Sequence, residues 1–573
     1  MNGRPAEGSG PGRVILVCLF AVSCGGGTRP SSPAEPVAAS AGWFEDATAT
    51  LGPAFVHETG ATGRLLLPEV MGGGVALFDA DNDGDLDAYL TNGNHHLPGG
   101  SKQGPTPNRL FLQRDGRFVE ASEESGLDDE GYGMGVAVGD VDNDGDLDVY
   151  LTNYGPDRLY LNGGDGRFDE VTAPAGIDVD GWSASATFFD YDRDGFLDLY
   201  VARYVEYDDA RGCSDAAGRP DYCSPAAFRP SADVLLRNRG DGTFDDVSET
   251  AGVGSVRAAG LGVVAGDLDD DGWPDVYVAN DGYANQLWIN QGDGTFRDEA
   301  VIRGVAYDLH GKAEAGMGVL AADLDNDLDD DLFVTHLAQE TNTLYGNRLG
   351  GRGFVDETGF SGLAVGSLAH TGFGTAAIDL GLDGRLDLVV LNGRVTLGDP
   401  RPGSATRDPW NRLVEPNLLF LNRGDGRFEA AGDEGVALTA PLEVSRGLAT
   451  GDVDGDGDLD LLYSNLQSTA RLLLDVSPRS GHWLLVRALD PRYRREAIGA
   501  QVSVFAGEFR RRARVQRGFG YLSSSDARVH FGLGHRTAVD GVEVRWPDGR
   551  VETFAVDGVD RSVTLARGEG VAR

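Results

Sequence analysis

Nothing constrains the fold of this chain more than a nine-residue stretch that recurs seven times. Its fullest form is Asp140-Val141-Asp142-Asn143-Asp144-Gly145-Asp146-Leu147-Asp148. Side-chain oxygens at positions 1, 3, 5 and 9 and a backbone carbonyl at position 7 make an oxygen cage for a hard cation, and Gly at position 6 permits the sharp turn. Other full copies supply Asp79, Asp81, Asp83, Asp85 and Asp87; Asp190, Asp192, Asp194 and Asp198; and Asp267, Asp269, Asp271 and Asp275. The last full copy supplies Asp452, Asp454, Asp456, Asp458 and Asp460. Two copies depart from the pattern. Asp323, Asp325, Asp327 and Asp331 keep every carboxylate, with Leu328 at the glycine position. Asp379, Asp383 and Asp387 surround Gly381, which stands where the second ligand belongs.

A single acidic run of this kind is as readily a solvated turn. Neighbouring carboxylates ~4 Å apart repel by about 4 kcal/mol at an effective dielectric of about 20. Four held together without a counter-ion would use up much of a domain's net stability of ~5–15 kcal/mol. The all-oxygen donor set favours Ca²⁺, one ion per loop, over Mg²⁺, which keeps its waters. These loops are not EF-hands: position 12 is Leu90, Leu151 or Tyr463 instead of a bidentate Glu, and those residues lie in β-rich apolar runs.

Each loop sits inside a larger unit. Gly133–Gly139 leads in, Val149–Asn153 follows, then Arg158–Asn162. A Gly164-Asp165-Gly166 turn introduces a fourth run, Arg167–Thr172. Four short strands per unit predict propeller blades, and seven units predict a seven-bladed, all-β propeller. The last unit stops after Leu474 without its fourth strand, while Trp43–Thr48 is an orphan copy of it. Pairing the two would close the ring and remove an edge. The propeller is expected over 42–478, with a small β-rich domain over 480–569.

The N-terminus reads as an address. Arg4 and Arg13 precede Val14–Val22, an apolar run too short to span a membrane. The run ends Ala21-Val22-Ser23-Cys24, similar to the lipidation box of bacterial lipoproteins, so residues 1–23 are expected to leave as a signal and Cys24 to carry lipid; plain secretion is the rival. Residues 24–41 read as a flexible tether. In an exported protein, Cys213 and Cys223 read as a disulfide closing its own loop. These readings place the protein in the cell envelope or outside the cell, touching membrane only through that anchor.

The formal charge is −42, and the seven loops hold 33 of the 91 acidic residues. No basic footprint for nucleic acid is present. Residues 480–573 differ, with 16 Arg against 11 acidic residues. Arg510, Arg511, Arg512, Arg514 and Arg517 share one strand-like segment. A solvated strand face is the simpler reading of it; docking onto the acidic propeller is the alternative.

The loops resemble the FG-GAP (VCBS) repeats of integrin α-subunit propellers. From about Trp43 to Glu569 the arrangement is similar to bacterial members of the cartilage acidic protein family, which end in an ASPIC/UnbV module. That module's pattern is matched by His482-Trp483-Leu484, Ile498-Gly499-Ala500, Gly518-Phe519-Gly520-Tyr521-Leu522, His530–Gly534 and Val542–Pro547.

No nucleophile elbow, phosphate-binding glycine loop or His/Cys metal cluster appears, and His95-His96 reads as a surface feature. The reading is therefore a non-catalytic, calcium-binding scaffold for an extracytoplasmic protein or glycan. The runner-up is a carbohydrate- or lipid-active hydrolase or lyase built on the propeller. Three units carry long insertions in the same connection: Gly93–Pro107, Tyr204–Ala232 and Gly393–Pro416. These should share the face opposite the cation loops. Their Tyr204, Tyr207, Tyr222, Phe228 and Trp410 are the residue types favoured at binding hot spots.

Overall fold

The computed structural model describes residues 42–51, 55–94, 97, 106–348, 352–404 and 406–572. The expected signal, tether, Cys24, His95 and His96 lie outside the described residues. Seven four-stranded antiparallel sheets follow one another. The first is Val75–Phe78, Asp87–Leu90, Arg109–Arg114 and Arg117–Glu120, and the second Gly133–Gly139, Asp148–Asn153, Arg158–Asn162 and Phe168–Glu170. The third to sixth begin at Ser183–Phe189, Gly260–Gly266, Val319–Ala322 and Gly372–Ile378. The seventh joins Ser445–Gly451, Asp460–Asn465 and Arg471–Asp475 to Phe44–Asp46. Phe44 lies opposite Asp475 and Asp46 opposite Leu473, so the orphan N-terminal strand completes the last sheet.

Strand position explains the composition of each run. Gly133–Gly139 is buried at every residue because sheets stack on both its faces, whereas Phe168–Glu170, at the rim, buries only Phe168. Each sheet shares an apolar core with the next. Ala76 and Phe78 meet Val136 and Val138, and the series ends where Ala449, Leu462 and Leu472 of the seventh sheet pack on Val75 and Leu77 of the first. The sheets thus close a propeller ring.

The C-terminal domain is a pair of sheets built on His482–Asp490 and Gln501–Ala506 around Val504, Phe531, Val544 and Trp546. Its strands extend to Val571–Ala572, a little beyond the expected boundary. Its most consequential segment is Gln516–Asp526, which runs along the axis of the ring. The innermost strand of each sheet has no fifth neighbour, so its inner N–H and C=O groups need partners. This segment supplies some of them, in the first, second, fifth and seventh sheets. Gly520 exchanges hydrogen bonds with Val319 (2.6 and 3.0 Å), Leu522 O accepts from Val136 N (3.1 Å), and Asp526 N donates to Thr450 O (3.0 Å). Ser524 O accepts from Leu77 N (3.1 Å), while the Ser524 and Ser525 hydroxyls accept from Val138 N and Thr450 N (3.1 Å each). Small polar side chains suit the narrow channel. At Gly74 a Cβ would sit 2.3 Å from Leu522 O, so only glycine permits this approach.

Candidate metal centres

Each nine-residue loop joins the first and second strands of its sheet, and one hydrogen-bond scheme folds them all. The position 1 carboxylate accepts from the N–H of position 6: Asp140 from Gly145 (3.0 Å), Asp190 from Gly195 (3.0 Å), Asp267 from Gly272 (3.1 Å). Positions 3 and 5 accept from the N–H two residues on, as Asp142 does from Asp144 (3.2 Å) and Asp144 from Asp146 (2.9 Å). These bonds turn the acidic side chains inward. Asp79, Asp81 and Asp87 bring ligand oxygens within 4.8 Å of one another, as do Asp140, Asp142 and Asp148. So do Asp190, Asp192 and Asp194; Asp267, Asp269 and Asp271; and Asp323, Asp325 and Asp327.

Whether this donor set fits a cation is tested by what remains unsatisfied. A buried polar atom without a partner is costly and rare. Yet one carboxylate oxygen each of Asp140, Asp190, Asp267, Asp323 and Asp452 is buried with no hydrogen-bond partner, and Asp81 shows the same in the first loop. Six loops thus aim an unsatisfied oxygen into a cluster of carboxylates, the arrangement a hard cation completes. The Asp379 loop differs. It has three carboxylates in place of four or more, and none of their oxygens is buried without a partner. Its backbone also turns differently, with Gly381 at φ 79°. In the Asp323 loop, Leu328 keeps the left-handed turn of the glycine it replaces, at φ 80°.

The electrostatics agree. Burial, and then the neighbouring carboxylates, raise Asp140, Asp190 and Asp323 to about 7. Burial likewise raises Asp87 and Asp331 to about 8. With no cation these groups resist ionising together at neutral pH.

Position 9 does more than the sequence pattern implies. Asp148 accepts from Val141 N (2.8 Å) in its own loop and from Asn162 N (2.9 Å) on the third strand. Asp198, Asp275, Asp387 and Asp460 repeat this staple. At position 7 the side chain of Asp146 accepts from Asn82 (2.8 Å) and Asp458 Oδ2 from Arg479 (3.1 Å), while Asp458 Oδ1 is buried without a partner. Sequence reasoning missed the third-strand amide. Asn162 Nδ2 donates to Leu147 O (3.1 Å) of its own loop and to Ala80 O (2.9 Å) of the preceding one. Asn238, Asn290 and Asn422 do the same. The signal was visible as an Asn near the end of the third strand in five of the seven units.

The arginine-rich segment is not a solvated face, which corrects the simpler reading. Arg514 is buried against Asp330 and donates to Asp267 O (2.8 Å). Arg512 lies 3.5 Å from Asp270 and 3.6 Å from Asp329. Arg495 bonds Asn143 Oδ1 (2.8 Å) and Gly195 O (3.0 Å). The C-terminal domain is therefore seated on the cation-loop face. Arg510 and Arg517 stay within their own domain, over Phe505 and beside Glu496.

The insertions of the third and sixth sheets gather on the opposite face, where Cys213 and Cys223 form the expected disulfide; most of the first sheet's insertion lies outside the described residues. Their aromatic residues are not displayed there. Tyr204, Tyr222, Phe228 and Trp410 are buried in a shared cluster that also takes in Val70 and Tyr521. Leu397 N donates to Asp221 (3.0 Å) and Tyr222 O–H to Glu69 (3.3 Å), so the insertions of the third and sixth sheets cap the ring together. Only Tyr207 remains half-exposed.

Comparison with known proteins agrees with this architecture. A family model described as an FG-GAP-like repeat matches residues 79–151, 140–201, 215–278, 267–334 and 406–463, over half of the chain. A second, described as ASPIC and UnbV, matches residues 490–572. Cartilage acidic protein 1 of Mus musculus is 29% identical over 511 residues, 85% of this chain and 72% of that protein. The Xenopus tropicalis protein of the same name is 25% identical over 514 residues, with the same shares covered. Among solved structures, the BP39L lectin from Burkholderia pseudomallei aligns with 71% of this chain and 97% of its own at a TM-score of 0.42 and 11% identity.

Proposed function

Because the chain belongs to the family of FG-GAP-repeat proteins that end in an ASPIC and UnbV domain, with homology to cartilage acidic protein 1, we propose that it is an exported, calcium-stabilised propeller scaffold that binds an extracytoplasmic protein or glycan without catalysis. The observation that carries the calcium part is the unsatisfied buried carboxylate oxygen repeated in six loops. Position 1 and position 3 carboxylates, the position 5 and 9 carboxylates and the position 7 carbonyl would hold the ion. Bound there, calcium supplies the positive charge that lets the clustered carboxylates ionise together. The chain's own residues do the rest: the Asn and Asp staples fix each loop to its sheet and to the next loop.

Export is supported by the Cys213–Cys223 disulfide, a bond that persists in oxidising compartments. Binding at the insertion face is the reading supported by the C-terminal domain's covering part of the loop face and its segment's running through the channel. The test is affinity capture from the cell envelope with mature, calcium-loaded protein, alongside chelated protein. Partner recovery that requires calcium supports the reading. A protein whose unfolding midpoint ignores excess chelator, once shown to be metal-free, overturns its calcium part.

A further inference from the structure

Between the second and third sheets, on the insertion face, lies a cavity of about 480 Å³. That size falls within the ~300–1,000 Å³ of ordinary small-ligand sites. Three connections build it and are tied by their backbones: Gly155 N donates to Gly181 O (2.6 Å) and Tyr204 N to Trp182 O (3.0 Å). One wall is aromatic. Tyr154 and Tyr207 each stand edge-on to Trp182, with ring centroids 5.4 Å apart in both pairs, and lie 5.8 Å from one another. Held in this way, the rings lose little freedom on meeting a ligand. Beside Tyr154, Gly155 at φ 125° leaves open space where any side chain would intrude.

The remaining walls are polar. Asp180, Arg203 and Glu206 line the cavity. The Arg203 guanidinium is anchored through Nη2 to Asp180 O, and its Nε has no protein partner. Glu206 is half-exposed and holds Arg257 at 2.9 Å. Aromatic faces paired with carboxylates and a guanidinium suit a ligand that offers a C–H face on one side and vicinal hydroxyls on its edge. The carboxylates accept from hydroxyls and the guanidinium donates to one. Asp208 and Asp209 beside the wall, and a net charge of −42, disfavour an anionic ligand.

We propose that this cavity is a saccharide subsite for a neutral pyranose, stacked on Tyr154 with the Tyr207 ring at its edge and hydrogen-bonded by Asp180, Arg203 and Glu206. The assignment rests on the scaffold reading above and names the ligand class of its insertion face. It is tested with the full mature, calcium-loaded protein. A panel of neutral methyl pyranosides, one methyl uronoside and an unrelated peptide is screened at about 10 mM by saturation-transfer NMR, with titration calorimetry for any hit. At least one neutral pyranoside binds, and Tyr154→Ala weakens it by about tenfold, the scale of a lost aromatic contact. Glu206→Gln, an exposed change that leaves the fold alone, weakens it by roughly threefold or more. Glu206→Gln keeps the wild-type calcium-dependent unfolding midpoint; Tyr154→Ala lowers it by the lost packing on Trp182 and Tyr207 but still unfolds cooperatively at a midpoint that calcium raises. Silence across the neutral panel, binding of the uronoside or peptide alone, or equal affinity in both variants overturns the proposal. If envelope capture still returns a partner while the cavity binds no sugar, the subsite fails and the scaffold reading stands.

Discussion

The side-chain amide of Gln113 in the first sheet donates to the backbone carbonyl of Val453 in the last cation loop, 3.1 Å away across a separation of 340 residues. It also donates to Leu86 O (3.3 Å), so one amide joins the first loop to the seventh. Asn162, Asn238, Asn290 and Asn422 repeat this bond between consecutive loops. The loops are therefore linked to one another as well as to their sheets.

Breaking one link leaves two buried carbonyls without donors. Asn162→Ala should destabilise the protein by about 2–3 kcal/mol, since each unsatisfied group costs about 1–3 kcal/mol. Urea unfolding in saturating calcium measures it. A change under half of that lower figure would show the amide to be dispensable.

Calcium and pH should act jointly. The buried carboxylates of Asp140, Asp190 and Asp87 have folded-state pKa values of about 7, about 7 and about 8, against an ordinary 3.8. Groups raised in the folded state contribute stability below the unfolded value and lose it as pH rises through the folded one. Chelated protein should thus lose stability between about pH 4 and about pH 8. Calcium-loaded protein should hold it, and the gap between the two melting temperatures should widen with pH. A gap that stays constant would separate these carboxylates from calcium.

Leu328 sits at φ 80°, where a β-carbon is strained by about 1–2 kcal/mol. Leu328→Gly should stabilise the protein by about 1 kcal/mol and tighten calcium at that loop. In calcium titrations of the wild type, the Asp379 loop should fill last or not at all, since Gly381 replaces its second carboxylate and it has no unsatisfied buried oxygen.

The channel segment offers a sharper test. In Gly74→Ala the new β-carbon would lie 2.3 Å from Leu522 O. The segment should be displaced from the axis, and limited proteolysis should then cut between the ring and the C-terminal domain. Arg514→Ala should cost about 3–5 kcal/mol, because it strands the buried Asp330. An uncut, fully stable Gly74→Ala protein would show the axis to be roomier than described.

For the anchor, fatty-acid labelling should mark the wild type and spare Cys24→Ser, which should leave the membrane fraction. Unlabelled wild-type protein would leave secretion as the route.

The loops were legible because cation chemistry demands fixed residue types at fixed spacing, and seven copies repeat the message. The ring followed from strand order, and its closure from the orphan Phe44–Asp46 strand. The axial segment was not legible. Gly518-Phe519-Gly520-Tyr521-Leu522 reads only as part of the C-terminal module's pattern, and its destination is set by strand edges that exist only once the ring is built. Arg512 and Arg514 looked like a wetted strand because their carboxylate partners lie far away in sequence. Tyr204, Tyr222, Phe228 and Trp410 misled for another reason: the aromatic types that suit a hot spot also suit a core, and these cap the ring from inside.

The placement of the two ends has a consequence for how the protein is made. Asp46 pairs with Arg471 across 425 residues, and the axial segment comes later still. A chain emerging from the ribosome holds its first strand unpaired until nearly everything else has been synthesised, and its central axis stays open beyond that point. Six of the sheets are contiguous in sequence and need no such wait, so closure of the ring and filling of its axis fall to the last stage of folding.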